Sequence, residues 1–511
     1  MMTLHWRKRL EYRLLKWQAR FESAAFDRFF PWFCVVILWT IFALLALARS
    51  RELNQDAGLA AIMQSVWLIG EGFTPDASLL GQNYLSLQGG YLIYPIAALT
   101  KLFPTAITLI VIQAGALALS VVPLWRMSRN IAHLRTGAST AIIIVYGLYS
   151  AVHAVNIAGF YLESLALPLL LSAVYSGFAE KTWRYWLLIA IALLTRADLG
   201  LAIAGLGGFW LLEGKKKIAF QTVSLGLAWS TIFILGIQPL YNSGHYPHVE
   251  AFSDYGSGNP FSVVWGIIIN PLVFISELFS EANFLVAVSL LAPVLFLPVV
   301  APRYLVPALP LFAIYLAADV QKGELAEASQ TIPISAFIFV ALVFALAKTG
   351  SIIVQRVNVD RAIIGALLFT SVVFFTANSV TSPYEEPWSW GRQNPVDIAR
   401  LELAELVPED AVVRASEKML PLLSERIALL EFSPPSEYDD RLGGDAVRNV
   451  NWFIFDRSEV PAGWIGVDIL DFQADIRVGQ RFVQVYSNAG IEAYVTPAEA
   501  ERQGLVSLTQ E

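Results

Sequence analysis

Runs of Leu, Ile, Val, Phe and Ala recur from Pro31 to about Ala377, separated by short polar loops. A helix rising about 1.5 Å per residue needs about 20 apolar residues to cross a bilayer. One such run suits a core helix or a signal sequence equally well. About eleven in succession mark a polytopic membrane protein. They fall at 31–49, 106–125, 138–152, 163–178, 185–195, 199–212, 218–240, 284–301, 304–318, 331–347 and 361–377. The expected fold class is mainly α, a bundle of about 11 transmembrane helices over residues 31–377. Residues 89–103 are short for a crossing, and 261–280 are interrupted by Asn270-Pro271 and carry Glu277. Both read as juxtamembrane or re-entrant pieces. Irregular backbone at membrane depth is tolerated where protein buries it or a wet cavity adjoins it, so both hint at an external cavity.

The basic residues orient the bundle. Residues 1–30 hold Arg7, Lys8, Arg9, Arg13, Lys16, Arg20 and Arg28 against Glu11, Glu22 and Asp27. The spacing of Leu10, Leu14, Trp17 and Phe21 predicts an amphipathic surface helix, placed in the cytoplasm by its Lys/Arg excess. Residues 31–49 read as a signal anchor. With 11 spans, the basic loops at Arg126–Arg135, Lys181–Arg184 and Lys215–Lys217 all fall inside, and the acidic loop 319–330 falls outside. The expected location is the inner or plasma membrane, multi-pass, with a cytoplasmic N-terminus.

The pattern changes after Ala377. Residues 378–395 carry Pro383, Pro387, Pro395, Trp388 and Trp390, which suits an interfacial linker. Residues 396–511 read as a small soluble α/β domain outside the membrane. It has a helix at 396–406, strands at 412–415, 426–432 and 452–455, a short helix at 417–424, and a hairpin over 482–495 through Ser487-Asn488-Ala489-Gly490.

Composition supports the membrane reading. The 511 residues are 56% hydrophobic and 15% charged, where soluble chains average about 25% charged. The net charge of −7 is segregated by region. Cys34 is the single cysteine, so no intramolecular disulfide can form. Walker loop, dinucleotide fingerprint, His-Glu-x-x-His and Gly-x-Ser-x-Gly motifs are absent, and nucleic acid is not an expected partner.

Chemistry-bearing residues gather at the outer ends of the runs. Asp56, in Asn54-Gln55-Asp56-Ala57-Gly58, suits a helix N-cap and equally a carboxylate placed to take a proton or hold a cation. Glu163 opens an apolar run. It is either a first-turn Glu favoured by the helix dipole or a functional group facing a cavity. Arg196 and Asp198 could pair with each other, and Arg196 also offers the planar fork that phosphate prefers. His245 and His248 lie in an ordinary loop without ligand spacing. Arg303-Tyr304 suits interfacial anchoring on the cytoplasmic side.

Several of these residues sit in recognisable motifs. They are Asp56-Ala57-Gly58 with Gln64-Ser65-Val66-Trp67, Phe160-Tyr161-Leu162-Glu163-Ser164-Leu165-Ala166-Leu167-Pro168, Arg196-Ala197-Asp198-Leu199-Gly200-Leu201, and Leu406-Val407-Pro408-Glu409-Asp410-Ala411 through Leu423-Ser424-Glu425-Arg426. In order and placement the chain resembles an uncharacterised prokaryotic multi-pass membrane protein family related to the GT-C glycosyltransferases. It departs from that family's pattern at Tyr161 (a His there), Ala197 (acidic there), Arg303 (His of a His-Tyr pair) and near Gln88-Gly89, where a His is missing.

The resemblance implies transfer of a sugar from a polyprenyl-phosphate donor to an extracytoplasmic acceptor, an envelope glycan, lipid or protein. The catalytic candidates it implies are Asp56, Glu163 and Asp198. Arg196 would hold the carrier phosphate, with Gln64 and Tyr161 as further substrate-binding candidates. No metal ligand is assigned, and a divalent cation stays open as cofactor. Two other readings remain: a transporter or flippase of a lipid or glycan, and a non-catalytic envelope assembly factor.

Overall fold

The computed structural model describes residues 21–53, 57–242, 246, 248–319, 329–353, 355–382, 391–431, 450–457, 459 and 482–505. The expected amphipathic segment up to Arg20, Asp56, His245, residues 320–328 of the acidic loop and Trp388 and Trp390 lie outside the described residues.

Every apolar run is helical over most of its length, but the runs are not eleven uninterrupted spans. Among the described residues, five helices are long and apolar enough to cross a membrane: Ala24–Arg51, Thr105–Ile131, Lys216–Tyr241, Ser329–Thr349 and Arg361–Asn378. The number reaches seven if each of two bent pairs is one span, namely Thr136–Gly147 with Ser150–Ala158 and Pro260–Ile269 with Pro271–Leu278. The second pair turns by 92° at Asn270-Pro271, where the proline lacks the N–H that would continue the ladder.

Other runs are short. Thr182–Leu193 has 12 residues, about 18 Å against a hydrocarbon core of about 30 Å. Between Glu281 and Ala317, Pro293, Pro298, Pro302 and Pro307 divide the helix into 3-10 turns. Leu295 and Phe296 adopt left-handed backbone there.

The Ser329–Thr349 helix is the pillar of the bundle, with 83% of its apolar window buried. Apolar on all sides, it suits a position surrounded by other helices. Ala24–Arg51 and Arg361–Asn378 are only 22% and 11% buried and form the periphery. Leu199–Leu212 and Lys216–Tyr241 pack backbone to backbone: a Cβ on Gly226 would lie 2.3 Å from the Gly200 carbonyl oxygen. Small residues permit this close approach.

The described C-terminal residues form a five-stranded sheet of β1 (Val413–Ala415), β2 (Leu429–Glu431), β3 (Trp452–Asp456), β4 (Val483–Asn488) and β5 (Ile491–Val495), in the order β2-β1-β3-β5-β4. The first three strands are parallel, and β5 runs antiparallel to both of its neighbours. Helix Pro395–Leu406 covers one face through Ala399 and Leu403. Ala60, Ala61 and Leu79 of the first long loop join the same core, so the sheet is seated on that loop.

Hydrogen bonds fix the seat. The Ser78 hydroxyl donates to the Leu429 carbonyl at 2.7 Å and accepts from the Leu429 N–H at 2.8 Å. Thr105, at the start of the Thr105–Ile131 helix, donates to Glu425 at 2.7 Å. At the other end of that helix, Arg129 binds Asp27 and Glu22, and Asn130 meets Tyr175. The bundle therefore has a sheet-bearing end and an opposite, basic end.

Candidate functional site

Five helix termini meet at the sheet-bearing end. Glu163 lies in the 3-10 turn Leu162–Leu165 that leads into Ala166–Phe178. Arg196 and Asp198 occupy the turn between Thr182–Leu193 and Leu199–Leu212. Tyr315 stands in the last turn of Leu309–Ala317, and Ser329 begins the turn before Ile332–Thr349.

The Arg196 guanidinium joins these groups. Its Nη1 donates to Glu163 Oε1 at 2.9 Å, and its Nη2 lies 3.0 Å from Asp198 Oδ2. Tyr315 donates its hydroxyl to the same Asp198 oxygen and stacks its ring under the guanidinium at 5.7 Å. Ser329 donates to Glu163 Oε1 at 2.6 Å. Glu163 is 2% exposed, and a carboxylate so placed requires a paired cation. Burial opposes the charge of Arg196. Asp198, Tyr315 and Glu163 outweigh that opposition and hold its pKa above the ordinary arginine value.

Formally, two carboxylates share one guanidinium. Glu163 Oε2 and Asp198 Oδ1 are buried without a hydrogen-bond partner among the described residues. Asp198 occupies the N-cap position of its helix, yet its side chain makes no capping bond. Its carboxylate is turned to Arg196 and Tyr315 instead. The cluster thus presents unsatisfied acceptors beside a guanidinium with three N–H groups left over from its five. Among the described residues, no group of three or more His, Cys, Asp or Glu has the geometry to hold a metal ion.

A roof crosses this cluster. Helix Tyr84–Gln88 ends at Gly89, whose φ of +66° suits glycine. Any Cβ there would lie 2.6 Å from Phe233 and 2.9 Å from Ala197. The bare backbone lets the Gln88 carbonyl accept the Ala197 N–H at 3.0 Å. Burial first, and the Glu163 charge second, push the Tyr84 phenol upward in pKa, so it remains a protonated donor.

Of the residues singled out from sequence, Glu163, Arg196 and Asp198 are brought together. Tyr161 precedes this turn, its ring half-buried against the core and its N–H bound to Gln113 Oε1 at 2.7 Å. Gln64 is committed elsewhere. Its amide nitrogen donates to Ser78 at 2.8 Å and to the Arg426 and Ile427 carbonyls at 3.1 and 3.3 Å, and its oxygen accepts from Leu79 N–H at 3.2 Å. Those bonds clamp the sheet to the loop. His248 Nε2 donates to the Leu87 carbonyl at 2.8 Å. Arg303 pairs with Glu213 at 3.3 Å, at the opposite terminus of the helix that Asp198 begins. Tyr315 and Ser329 were not singled out from sequence; the available signal was their closeness to the outer loop 319–330.

No curated protein matches the sequence. Solved structures of similar fold include two of ArnT from Cupriavidus metallidurans. The apo form is 10% identical with a TM-score of 0.54, covering 91% of this chain and 98% of that one. The form bound to undecaprenyl phosphate is 10% identical with a TM-score of 0.52, covering 90% and 97%. Residues 54–474 match the family model described as a predicted membrane protein (DUF2079). The chain belongs to that family of predicted membrane proteins, and its fold is similar to that of ArnT.

Proposed function

We propose that this protein is a glycosyltransferase that moves a sugar from a polyprenyl-phosphate donor to an acceptor hydroxyl outside the cytoplasm. The observation that carries this reading is the convergence of Glu163 and Asp198 on Arg196 at the sheet-bearing end. An ArnT structure of similar fold is bound to undecaprenyl phosphate. The basic loops gather at the other end, which the excess of Lys and Arg assigns to the cytoplasm.

In this reading the free N–H groups of Arg196 take the donor phosphate, which reaches the protein only at the membrane interface. The anomeric C–O bond to phosphate breaks, and the acceptor oxygen forms the new bond. Polyprenyl phosphate departs, and the acceptor proton passes to a carboxylate. Asp56 is the proposed base. Glu163 and Asp198 orient Arg196 and offer their spare oxygens to the acceptor. Stabilising the leaving phosphate is the larger demand. The sheet, seated over the loop that follows Asp56, would meet the acceptor.

A transporter would place its binding groups near the midplane on broken helices. This cluster sits at helix termini on one end. The test is sugar transfer by the purified protein in nanodiscs containing a polyprenyl-phosphate sugar. Asp56→Asn is expected to abolish transfer while the protein stays inserted and folded. Full transfer by that variant, or substrate uptake into empty proteoliposomes, rejects the assignment.

A further inference from the structure

The basic end carries a cavity of about 620 Å³, lined by residues that include Asp27, Arg28, Trp32, Trp125, Arg126 and Arg356. This volume is within the usual range for small-molecule sites. The carboxylates at its wall are already committed. Asp27 accepts from Arg129 Nε at 2.7 Å and Glu22 from Arg129 Nη2 at 2.7 Å, with the Arg129 side chain wholly buried behind them. Arg356 donates to the Arg129 carbonyl and keeps Nη2 4.0 Å from Asp27. Arg28 and Arg126 are exposed and make no ion pair among the described residues. The cavity is therefore a cationic recess.

An apolar lane starts at its edge. Phe29, Trp32, Phe33 and Val36 of Ala24–Arg51 are 67%, 46%, 62% and 59% exposed. Their spacing of three and four residues lays them along one side of the helix. Cations beside a strip of membrane-facing apolar surface match an amphiphile with a phosphate head. A free phosphate would have no use for the strip.

We infer that this recess binds the headgroup of an anionic glycerophospholipid, its phosphate between Arg28, Arg126 and Arg356 and an acyl chain along the Phe29–Val36 lane. Asn130, which borders the recess, hydrogen-bonds Tyr175, roughly three turns along the helix from Glu163. The lipid site is thus separate from the proposed transfer site and independent of it.

Native mass spectrometry of the full chain, loaded with equal phosphatidylglycerol and phosphatidylcholine, tests it. The wild-type protein should retain phosphatidylglycerol preferentially. Arg28→Gln with Arg126→Gln should cut that preference about 30-fold, and Arg28→Lys with Arg126→Lys should keep most of it. Should the double Gln variant not fold, Arg126→Gln alone at its exposed position gives the same readout. Equal retention of both lipids by the wild type, or a preference that survives the Gln substitutions, overturns the inference. Displacement of the lipid by inorganic phosphate alone reassigns the recess to free anions and overturns it too.

Discussion

Tyr315 and Asp198, 117 positions apart in sequence, are joined by a hydrogen bond from the phenol to Oδ2. The same oxygen faces Arg196 Nη2 at 3.0 Å. Two donors on one oxygen leave Asp198 Oδ1 buried and without a hydrogen-bond partner among the described residues.

Tyr315→Phe keeps the ring against Arg196 and removes only the donor. Loss of one hydrogen bond to a carboxylate costs about 1.5–3 kcal/mol. In the proposed reading part of this appears as weaker positioning of Arg196. The expected result is a fall of about tenfold in kcat with little change in KM, measured in the nanodisc transfer assay. A rise in KM alone would assign Tyr315 to ground-state binding.

Arg196→Met strands the buried Glu163 carboxylate and takes the cation from the partly exposed Asp198 carboxylate. Removing one partner of a buried pair costs about 3–5 kcal/mol, so the melting temperature in detergent should fall clearly. Adding Glu163→Gln and Asp198→Asn removes the stranded charge and should restore most of that loss. Neither variant should bind polyprenyl phosphate. An Arg196→Met protein as stable as the wild type would contradict the buried pairing.

Gln64→Ala deletes a clamp, not a substrate contact. Its amide holds the Arg426 and Ile427 carbonyls and the Leu79 N–H. Leaving those buried groups unsatisfied costs about 1–3 kcal/mol each at most. Faster hydrogen exchange at Leu429 and Leu430 is expected, with KM for the donor lipid unchanged. A raised KM with unaltered exchange would return Gln64 to the binding site.

Glu22 gives a pH signature at the basic end. Burial alone would raise its pKa, but the Thr136 N–H at 3.0 Å and Arg129 at 2.7 Å hold the carboxyl below its usual 4.5. With the folded value depressed, its stabilising contribution is complete above pH 4.5 and is lost as pH falls through the folded value. Protection of the Thr136 amide, corrected for intrinsic exchange, should stay level above pH 4.5 and fall below it. In Glu22→Gln it should be low throughout. Protection that rises on acidification would reverse the sign.

Parts of this structure were readable in the sequence. Asn270-Pro271 marks the 92° bend because proline breaks the ladder. Asn488-Ala489-Gly490 marks the β4–β5 turn, where Ala489 and Gly490 take positive φ. Glu163, Arg196 and Asp198 stood out because ionisable groups at the ends of apolar runs are costly. The helix lengths were not readable in the same way. An apolar run looks alike whether it faces lipid over a full span or is a short helix covered by neighbours, as Leu199–Leu212 is. The helix expected at 417–424 is two 3-10 turns divided before Pro421. The role of Gln64 was hidden because its partner carbonyls lie 362 and 363 positions away. Tyr315 was hidden within an apolar run that showed no partner for its hydroxyl.

The most direct measurement is a cryo-electron microscopy map of the full chain in nanodiscs loaded with undecaprenyl phosphate. The phosphate should lie within about 4 Å of the Arg196 guanidinium, on the side of the bundle that carries the sheet. Headgroup density found only among Arg28, Arg126 and Arg356, or none near Arg196 at saturating lipid, would contradict the account.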